Sequence, residues 1–450
     1  MEQTKTFLKT VPFTDFLLWD VKRYISNTLK STYPLISLSK LISERSERLK
    51  LYDYPHEEFK ILGVNNKTGL FDAYCELGIN INQSYKKVYN EDLAYNPYRI
   101  NVGSIGWKTP NQKNEFISPA YVVFETSYEL SSEYLYLMFQ TNTFNKIIND
   151  NTTGSVRQNL KFDTLVNIKI PLPPLSVQNR IVSQYNQKIQ LAIQQEQQAT
   201  NLNAEIEKYL YKALNLDKNV AQQKEKGLQF TSLNQTSRWD TLFLIGNMPV
   251  LQTSYPIKQF KDVISKFNKG PENESIRINS KDYPNDEFVY IGMEHIEKET
   301  GNLLEIVKVR GEEIKSQTLR VPQDYLLYGK LRPYLNKYWI NETSYDNIIT
   351  SSEFFVFDIK TGINKQFFKY VLSSSFIQQQ ITDKTSGARM PRINETIFYN
   401  LQFPLPDYDK QNEIANHIDD LKSQIKALRK KANSNREEAL LNFEQEIFNS

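Results

Sequence analysis

Hydrophobic positions fall into two recurring patterns along the chain, and each pattern occurs twice. Clustered or alternating apolar runs, Ala120-Tyr121-Val122-Val123-Phe124 and Glu353-Phe354-Phe355-Val356-Phe357, predict strands. Each run precedes a stretch with helical spacing, 132–149 and 364–382, that closes near Gly154 or Gly387. A proline corner follows in both places, Pro171-Leu172-Pro173-Pro174 and Pro404-Leu405-Pro406. Proline continues neither a helix nor a central strand, so these are stiff turns. Beyond the second corner, Ile414, Ile418, Leu421, Ile425, Leu428 and Ala432 step by alternating fours and threes, a coiled-coil seam. It loosens at Asn433-Ser434-Asn435 and resumes at Leu440, Phe443 and Ile447. Beyond the first corner, Val177, Ile181, Tyr185, Ile189 and Ile193 form a similar stripe, continued by Leu202, Ile206, Leu210 and Leu214. Ordinary core packing also produces such stripes. Their length, their polar flanks and their matching places in the chain point instead to two long helices packed on each other.

The recurrence is a duplication, which decides the fold before any single motif does. An offset of 233 residues carries Tyr95 to Tyr328, Arg99 to Arg332, Ser118 to Ser351 and Val123-Phe124 to Val356-Phe357. The same offset carries Gly154-Ser155 to Gly387-Ala388, Pro171-Leu172-Pro173 to Pro404-Leu405-Pro406, Gln178 to Gln411 and Ile181 to Ile414. Upstream, loop insertions change the offset. Phe59 and Gly63 match Phe288 and Gly292 at 229, Tyr33-Pro34 matches Tyr255-Pro256 at 222, and Trp19-Asp20 resembles Trp239-Asp240. The fold class is therefore α+β, one unit written twice with an approximate two-fold axis as its natural geometry. Mixed α/β domains are expected at 1–174 and 217–407, the latter including a linker, with long helices at 175–216 and 408–450.

Composition narrows the class further. The 450 residues leave room for two or three domains. A single cysteine, Cys75, excludes a disulfide framework and suits a reducing cytoplasm. The first residues lack the pattern of a secretory signal, and no run of about 18 apolar residues supports a membrane span. A net charge of +3 argues against a strongly basic, histone-like binder, while local basic stripes remain compatible with nucleic acid. The abundance of Asn, Lys and Ile is also what A/T-rich codons would give, so it does not point to base readout.

Catalytic constellations are scarce. The three histidines, His56, His295 and His417, form no metal-ligand spacing with Cys75. Gly329-Lys330 is followed by Leu331 rather than Ser or Thr, so it is no phosphate loop. No glycine-rich turn of the dinucleotide type opens a βα unit. Asn96-Pro97-Tyr98 lacks the second proline of an amino-methyltransferase signature, and Glu58-Phe59-Lys60 lacks the upstream acid of a nuclease site. The expectation is a chain with no catalytic residues, no bound metal and no cofactor of its own.

A duplicated chain whose halves each end at a Pro-Leu-Pro corner and a long helix resembles the specificity subunits of Type I restriction–modification systems. The residues carrying the resemblance are Pro171-Leu172-Pro173-Pro174-Leu175 with Gln178 and Ile181, and Pro404-Leu405-Pro406 with Gln411 and Ile414. Tyr290-Ile291-Gly292, Tyr328-Gly329-Lys330-Leu331-Arg332-Pro333-Tyr334 and Thr385-Ser386-Gly387 support it. The first copy departs by placing Asn96-Pro97 where the second has Gly329-Lys330, so the copies need not grip DNA through identical residues. The resemblance implies target-recognition domains that each read one half of a bipartite site in double-stranded DNA. It implies that the long helices pack antiparallel, hold those domains apart and dock two methyltransferase subunits. Endonuclease/translocase subunits would join through the assembly, and S-adenosylmethionine, ATP and Mg would belong to the partners. The system would be cytoplasmic, acting in DNA methylation and phage defence. A helix of about 39 residues is roughly 60 Å long at ~1.5 Å per residue. Half-sites one DNA turn apart have centres ~34 Å apart, within the reach of such a strut.

Phosphate contacts position a protein and base-edge contacts specify sequence. Arg99 and Arg332, at matching places in both copies, are the first candidates for phosphate grip. Lys330, Lys337, Arg157, Arg389 and Arg392 join them because they lie beside glycine or turn segments. Base readers are expected in loops that differ between copies: Lys67, Lys86, Lys87 and Lys108 in the first, and Arg277, His295, Lys298 and Arg310 in the second. Two other functions stay open on sequence grounds. One is recognition within a bipartite-site Type II enzyme, and the other is a coiled-coil adaptor that never touches DNA.

Overall fold

The computed structural model describes residues 29–152, 159–216, 251–266, 276–279, 282–315, 317–382 and 390–448. Trp19-Asp20, Trp239-Asp240, Gly154-Ser155, Thr385-Ser386-Gly387, Arg157 and Arg389 lie outside them. The chain divides into two compact units, 1–197 with 428–450, and 198–427, so each long helix contributes to both.

The first unit holds strands β1 (Leu35–Ser37), β2 (Ile42–Glu44), β3 (Arg48–Leu49), β4 (Glu58–Asn65), β5 (Gly69–Leu77) and β6 (Tyr85–Lys87). They are followed by β7 (Leu93–Tyr95), β8 (Ile105–Trp107), β9 (Phe116–Ile117), β10 (Val122–Thr126) and, after three helices, β11 (Lys169–Pro171). Two sheets result, β2-β10-β7-β8 and β3-β6-β9-β4-β5, and β1 pairs with β11. Helices α1 (Ser132–Gln140) and α2 (Asn142–Asn151) close the core, with Ser131 and Thr141 capping their N-termini through side-chain oxygens. The short α3 (Phe162–Leu165) precedes β11. Tyr95, Phe124, Tyr134, Phe139 and Phe144 are fully buried and fill the space between sheet and helices. Beyond the proline corner begins α4 (Leu175–Ala213).

The second unit repeats this plan. Its strands are β12 (Ile257–Gln259), β13 (Ile264–Lys266), β14 (Arg277–Ile278), β15 (Glu287–Ile291), β16 (Val307–Arg310) and β17 (Thr318–Arg320). They continue as β18 (Leu326–Gly329), β19 (Tyr338–Ile340), β20 (Ile348–Ser351), β21 (Phe354–Ile359) and β22 (Gln402–Pro404). The sheet orders, β13-β21-β18-β19 and β14-β17-β20-β15-β16, match those of the first unit strand for strand. Register matches as well: Val122 faces Tyr95, and Phe355 faces Tyr328, each 233 positions on. A one-residue slip would exchange the buried and exposed faces of a strand, so the repeated apolar pattern enforces the repeated register. Helices α5 (Phe260–Val263), α6 (Lys365–Ser373), α7 (Ser375–Thr382), α8 (Glu395–Tyr399) and α9 (Tyr408–Phe448) complete this half. Its core is more aromatic. Phe398 stacks on Phe357 with ring centroids 5.2 Å apart and lies 4.4 Å from Tyr328.

Within each unit α4 and α9 pack antiparallel. In the first, Lys188 meets Glu438 at 2.6 Å, Arg180 meets Glu446, and Asn435 donates to Gln195 at 2.9 Å. In the second, Tyr209 stacks on His417 at 4.0 Å, and Leu210 and Leu214 share a core with Ile414 and Ile418. Ile181, Ile414, Ile418, Leu421 and Ile425 are buried as the stripes predict, while Val177, Tyr185, Ile189 and Leu428 are half-buried. One stripe residue is corrected, Ile193, which is 49 % exposed, while Leu440 is half-buried like Leu428. The neighbouring Ala192 and Ala439 take the seam positions instead, at 0 % and 1 % exposure. Small side chains let the helices approach, and the exposed isoleucine is the residue that the helical period carries off the contact face.

Candidate nucleic-acid interface

Arg99 and Arg332, matched in sequence, occupy matched places in the fold. Each is an exposed residue that opens a one-turn 3-10 helix, 100–102 between β7 and β8 and 333–335 between β18 and β19. The turns close with left-handed backbone at Gly103 (φ 82°) and Asn336 (φ 44°), again 233 positions apart. Glycine takes that conformation without steric cost, and asparagine is among the few other residues that adopt it. Asn336 is fully buried and donates to Leu372 O at 3.1 Å, which pins the second turn. Arg332 itself has φ 48°, and its N–H donates to Pro391 O at 2.7 Å. The second turn is thus tied to the rest of its unit at two points and leaves Arg332 and Tyr334 exposed.

Beside Arg332 a tighter cluster forms. A bridge between Leu331 and Arg392 brings Lys330 and Arg392 to the turn connecting β20 to β21. Lys330 Nζ donates to Ser352 O at 2.6 Å and lies 4.8 Å above the Phe355 ring. Burial pulls this ammonium below the ordinary lysine range, with Glu353 and Glu395 pulling the other way. Arg392 grips the Glu353 carboxylate with two bonds, Nε at 3.2 Å and Nη2 at 3.1 Å, which raises its pKa further. Lys266 pairs with Glu395 at 2.8 Å.

Among the expected base readers, three are corrected by the structure. Lys86 is 3 % exposed with its ammonium 3.2 Å from Glu44, and Lys108 is 4 % exposed and donates to Val88 O at 2.8 Å. Burial also lowers the Lys108 pKa. His295 is 6 % exposed, and its Nδ1 accepts from Gly292 N at 3.0 Å. These three side chains are buried within their own units, against the exposure expected of a base reader. Lys337 is half-buried, with Nζ donating to Met293 O at 2.6 Å, and Lys87 lies over the Tyr89 ring at 5.2 Å. Exposed as a reader requires are Lys67, in the turn where Asn65 accepts two backbone N–H bonds, and Arg277, Lys298 and Arg310. Sequence reasoning missed Glu353, the acid that holds Arg392, because it searched these turns for cations alone. It also missed Arg45, which bonds Asp92 at 3.3 Å and Glu125 at 2.7 Å and covers the Tyr89 ring at 5.0 Å.

The corner glutamines are the other matched pair. Gln178 is fully buried, its amide donating to Glu129 O and Pro173 O at 2.8 and 2.9 Å and accepting from Ser131 N at 2.9 Å. Gln411 donates to Pro406 O at 3.0 Å and accepts from Asn364 N at 2.9 Å. Each locks a proline corner to the cap of the helix that follows the central strand. Among the described residues no cluster of three His, Cys, Asp or Glu side chains is placed to hold a metal, and no helix is long and apolar enough to cross a membrane.

Two α+β units of identical topology, each closed by a proline corner and sharing a pair of antiparallel helices, define a duplicated recognition scaffold. The chain belongs to the family described as Type I restriction modification DNA specificity domain, whose model matches residues 65–208 and again 256–434. It is 25 % identical over 158 residues to the Type I restriction enzyme EcoDI specificity subunit of Escherichia coli. That alignment spans 34 % of this chain and 33 % of the relative, so the chain matches about a third of that protein's length. In fold it is similar to a chain solved in work on complex assembly and conformational transition of the type I R-M system, with a TM-score of 0.56 and 14 % identity, covering 94 % of this chain and 98 % of that one. The HsdS subunit from Thermoanaerobacter tengcongensis aligns over the same shares with a TM-score of 0.46 and 13 % identity.

Proposed function

We propose that this chain is the DNA-reading subunit of a Type I restriction–modification complex, each unit reading one half of a split target. The observation that carries this reading is the duplication: one sheet topology, in one register, built twice and presenting an arginine at the same turn. Loops around that turn differ between copies, as two different half-sites require. Methylation and cleavage are assigned to partner subunits, which bring S-adenosylmethionine, ATP and Mg. In the first unit a groove of about 760 Å³ runs between α4 and α9, lined by Ile181, Tyr185, Leu191, Ala439 and Phe443. Its apolar floor and amide rim suit a helix of a methyltransferase partner.

A map of methylated bases in the native host, with and without this gene, tests the reading. Loss of methylation at one split motif is the expected result. An unchanged map in a strain whose methyltransferase is active would overturn it. The adaptor alternative predicts a complex whose DNA association is absent or insensitive to salt, whereas phosphate binding weakens steeply with salt. The Type II alternative predicts a single partner that both methylates and cleaves.

Arg332→Ala separates positioning from reading. Loss of a phosphate contact should weaken every sequence alike and flatten the salt slope by about one. A loss confined to one base position, on the order of 1–3 kcal/mol, would reassign Arg332 to direct readout.

A further inference from the structure

We propose that Glu353 occupies the place of a DNA phosphate, holding Arg392 in the free protein and releasing it to the backbone when the second half-site is engaged. The inference rests on the DNA-reading function above and adds a residue that tunes it. Three features of the turn carry it. The Arg392–Glu353 contact is two-pronged, the geometry in which arginine also takes phosphate. The two side chains are 49 % and 38 % exposed, so the pair is open to exchange and not a buried structural bond. Lys330 converges on the same turn, its N–H donating to the Glu353 backbone O at 2.8 Å and its ammonium to Ser352 O, so a second cation is anchored to the turn that carries the carboxylate.

Exchange is favourable on magnitude. An ion pair this exposed shifts an equilibrium by at most about fivefold. A guanidinium neutralising a phosphate also releases a condensed counterion, which the internal pair does not. Glu353 therefore holds the arginine in its binding orientation while weakening attachment to random DNA. The matched place in the first unit lacks these three residues: 233 positions earlier stand Pro97, Ala120 and Asn159 in place of Lys330, Glu353 and Arg392. The brake on non-specific binding is accordingly placed at this turn of the second unit.

The test is a double-mutant cycle on the full chain in complex with its methyltransferase partners. The probe is a fluorescent random-sequence duplex, titrated over a series of salt concentrations. Glu353→Ala is expected to tighten binding by up to about fivefold, with a salt slope steeper by about 0.9. Glu353→Ala combined with Arg392→Ala is expected to lose that gain entirely. A gain that persists in the double variant would mean simple removal of negative charge and would overturn the proposal, as would unchanged or weaker binding by Glu353→Ala. Glu353→Gln, which keeps the side-chain shape, repeats the measurement if the alanine variant unfolds. Failure of the unaltered complex to bind any duplex would instead overturn the DNA-reading function on which this rests.

Discussion

Gln178→Leu is expected to destabilise the first unit by about 3–5 kcal/mol, the largest effect of any single polar substitution argued for this chain. Leucine fills a similar volume but leaves Ser131 N–H, Glu129 O and Pro173 O without the partner that bonds them now. Each buried group left unpaired costs roughly 1–3 kcal/mol, and the groups lie where a helix cap, a loop and the proline corner converge. Against a domain stability of about 5–15 kcal/mol this is a large fraction. Gln411→Leu should cost less, because Gln411 makes two such bonds and not three. Scanning calorimetry on both variants checks this: a drop of roughly 10 °C is expected for Gln178→Leu, with a smaller one for Gln411→Leu. Unchanged melting, or the reverse order, would show that water takes over these bonds.

The same glutamines show what the sequence made legible. Their 233-residue spacing marked them as paired, and the spacing of Tyr95 and Tyr328 marked the central strands; the structure places both pairs at identical points of the two units. Sheets, corners and long helices were readable because they rest on periodicity, which a duplicated chain displays twice. The role of each glutamine was not, since an amide buried against three backbone groups looks the same in sequence as an exposed one.

Side-chain direction was hidden for the same reason. Lys86 and Lys87 are adjacent in β6, so the strand sends them to opposite faces, the buried Lys86 reaching the exposed carboxylate of Glu44 and Lys87 lying over the Tyr89 ring. Lys108 follows β8 by one residue and turns inward to Val88 O. A list of basic loop residues therefore mixes surface cations with internal donors. In the helices, a preference for large apolar residues selected Ile193 over Ala192, although close packing of two helices favours the smaller residue at the contact.

Removing one heptad from the middle of α4 and one from the middle of α9 is expected to abolish binding to the native target while leaving each unit folded. The antiparallel register inside each unit depends on a seven-residue repeat, so paired deletions of that length keep the seam facing itself and turn it by only ~20°. Each helix shortens by about 10 Å. Along B-DNA that distance is about three base pairs, which turn the second half-site by roughly 100°. Translation and rotation then no longer agree, so neither the original spacer nor one shortened by three base pairs presents both half-sites to both units. Two controls give the result meaning. Helicity and melting of the variant should stay close to those of the intact chain, since the cores around Phe124 and Phe398 are untouched. Affinity for random duplex should also persist, because phosphate contacts do not depend on the spacer. Binding with the original spacer and undiminished affinity would show that the long helices do not measure the distance between half-sites. They would then serve only to seat partner subunits.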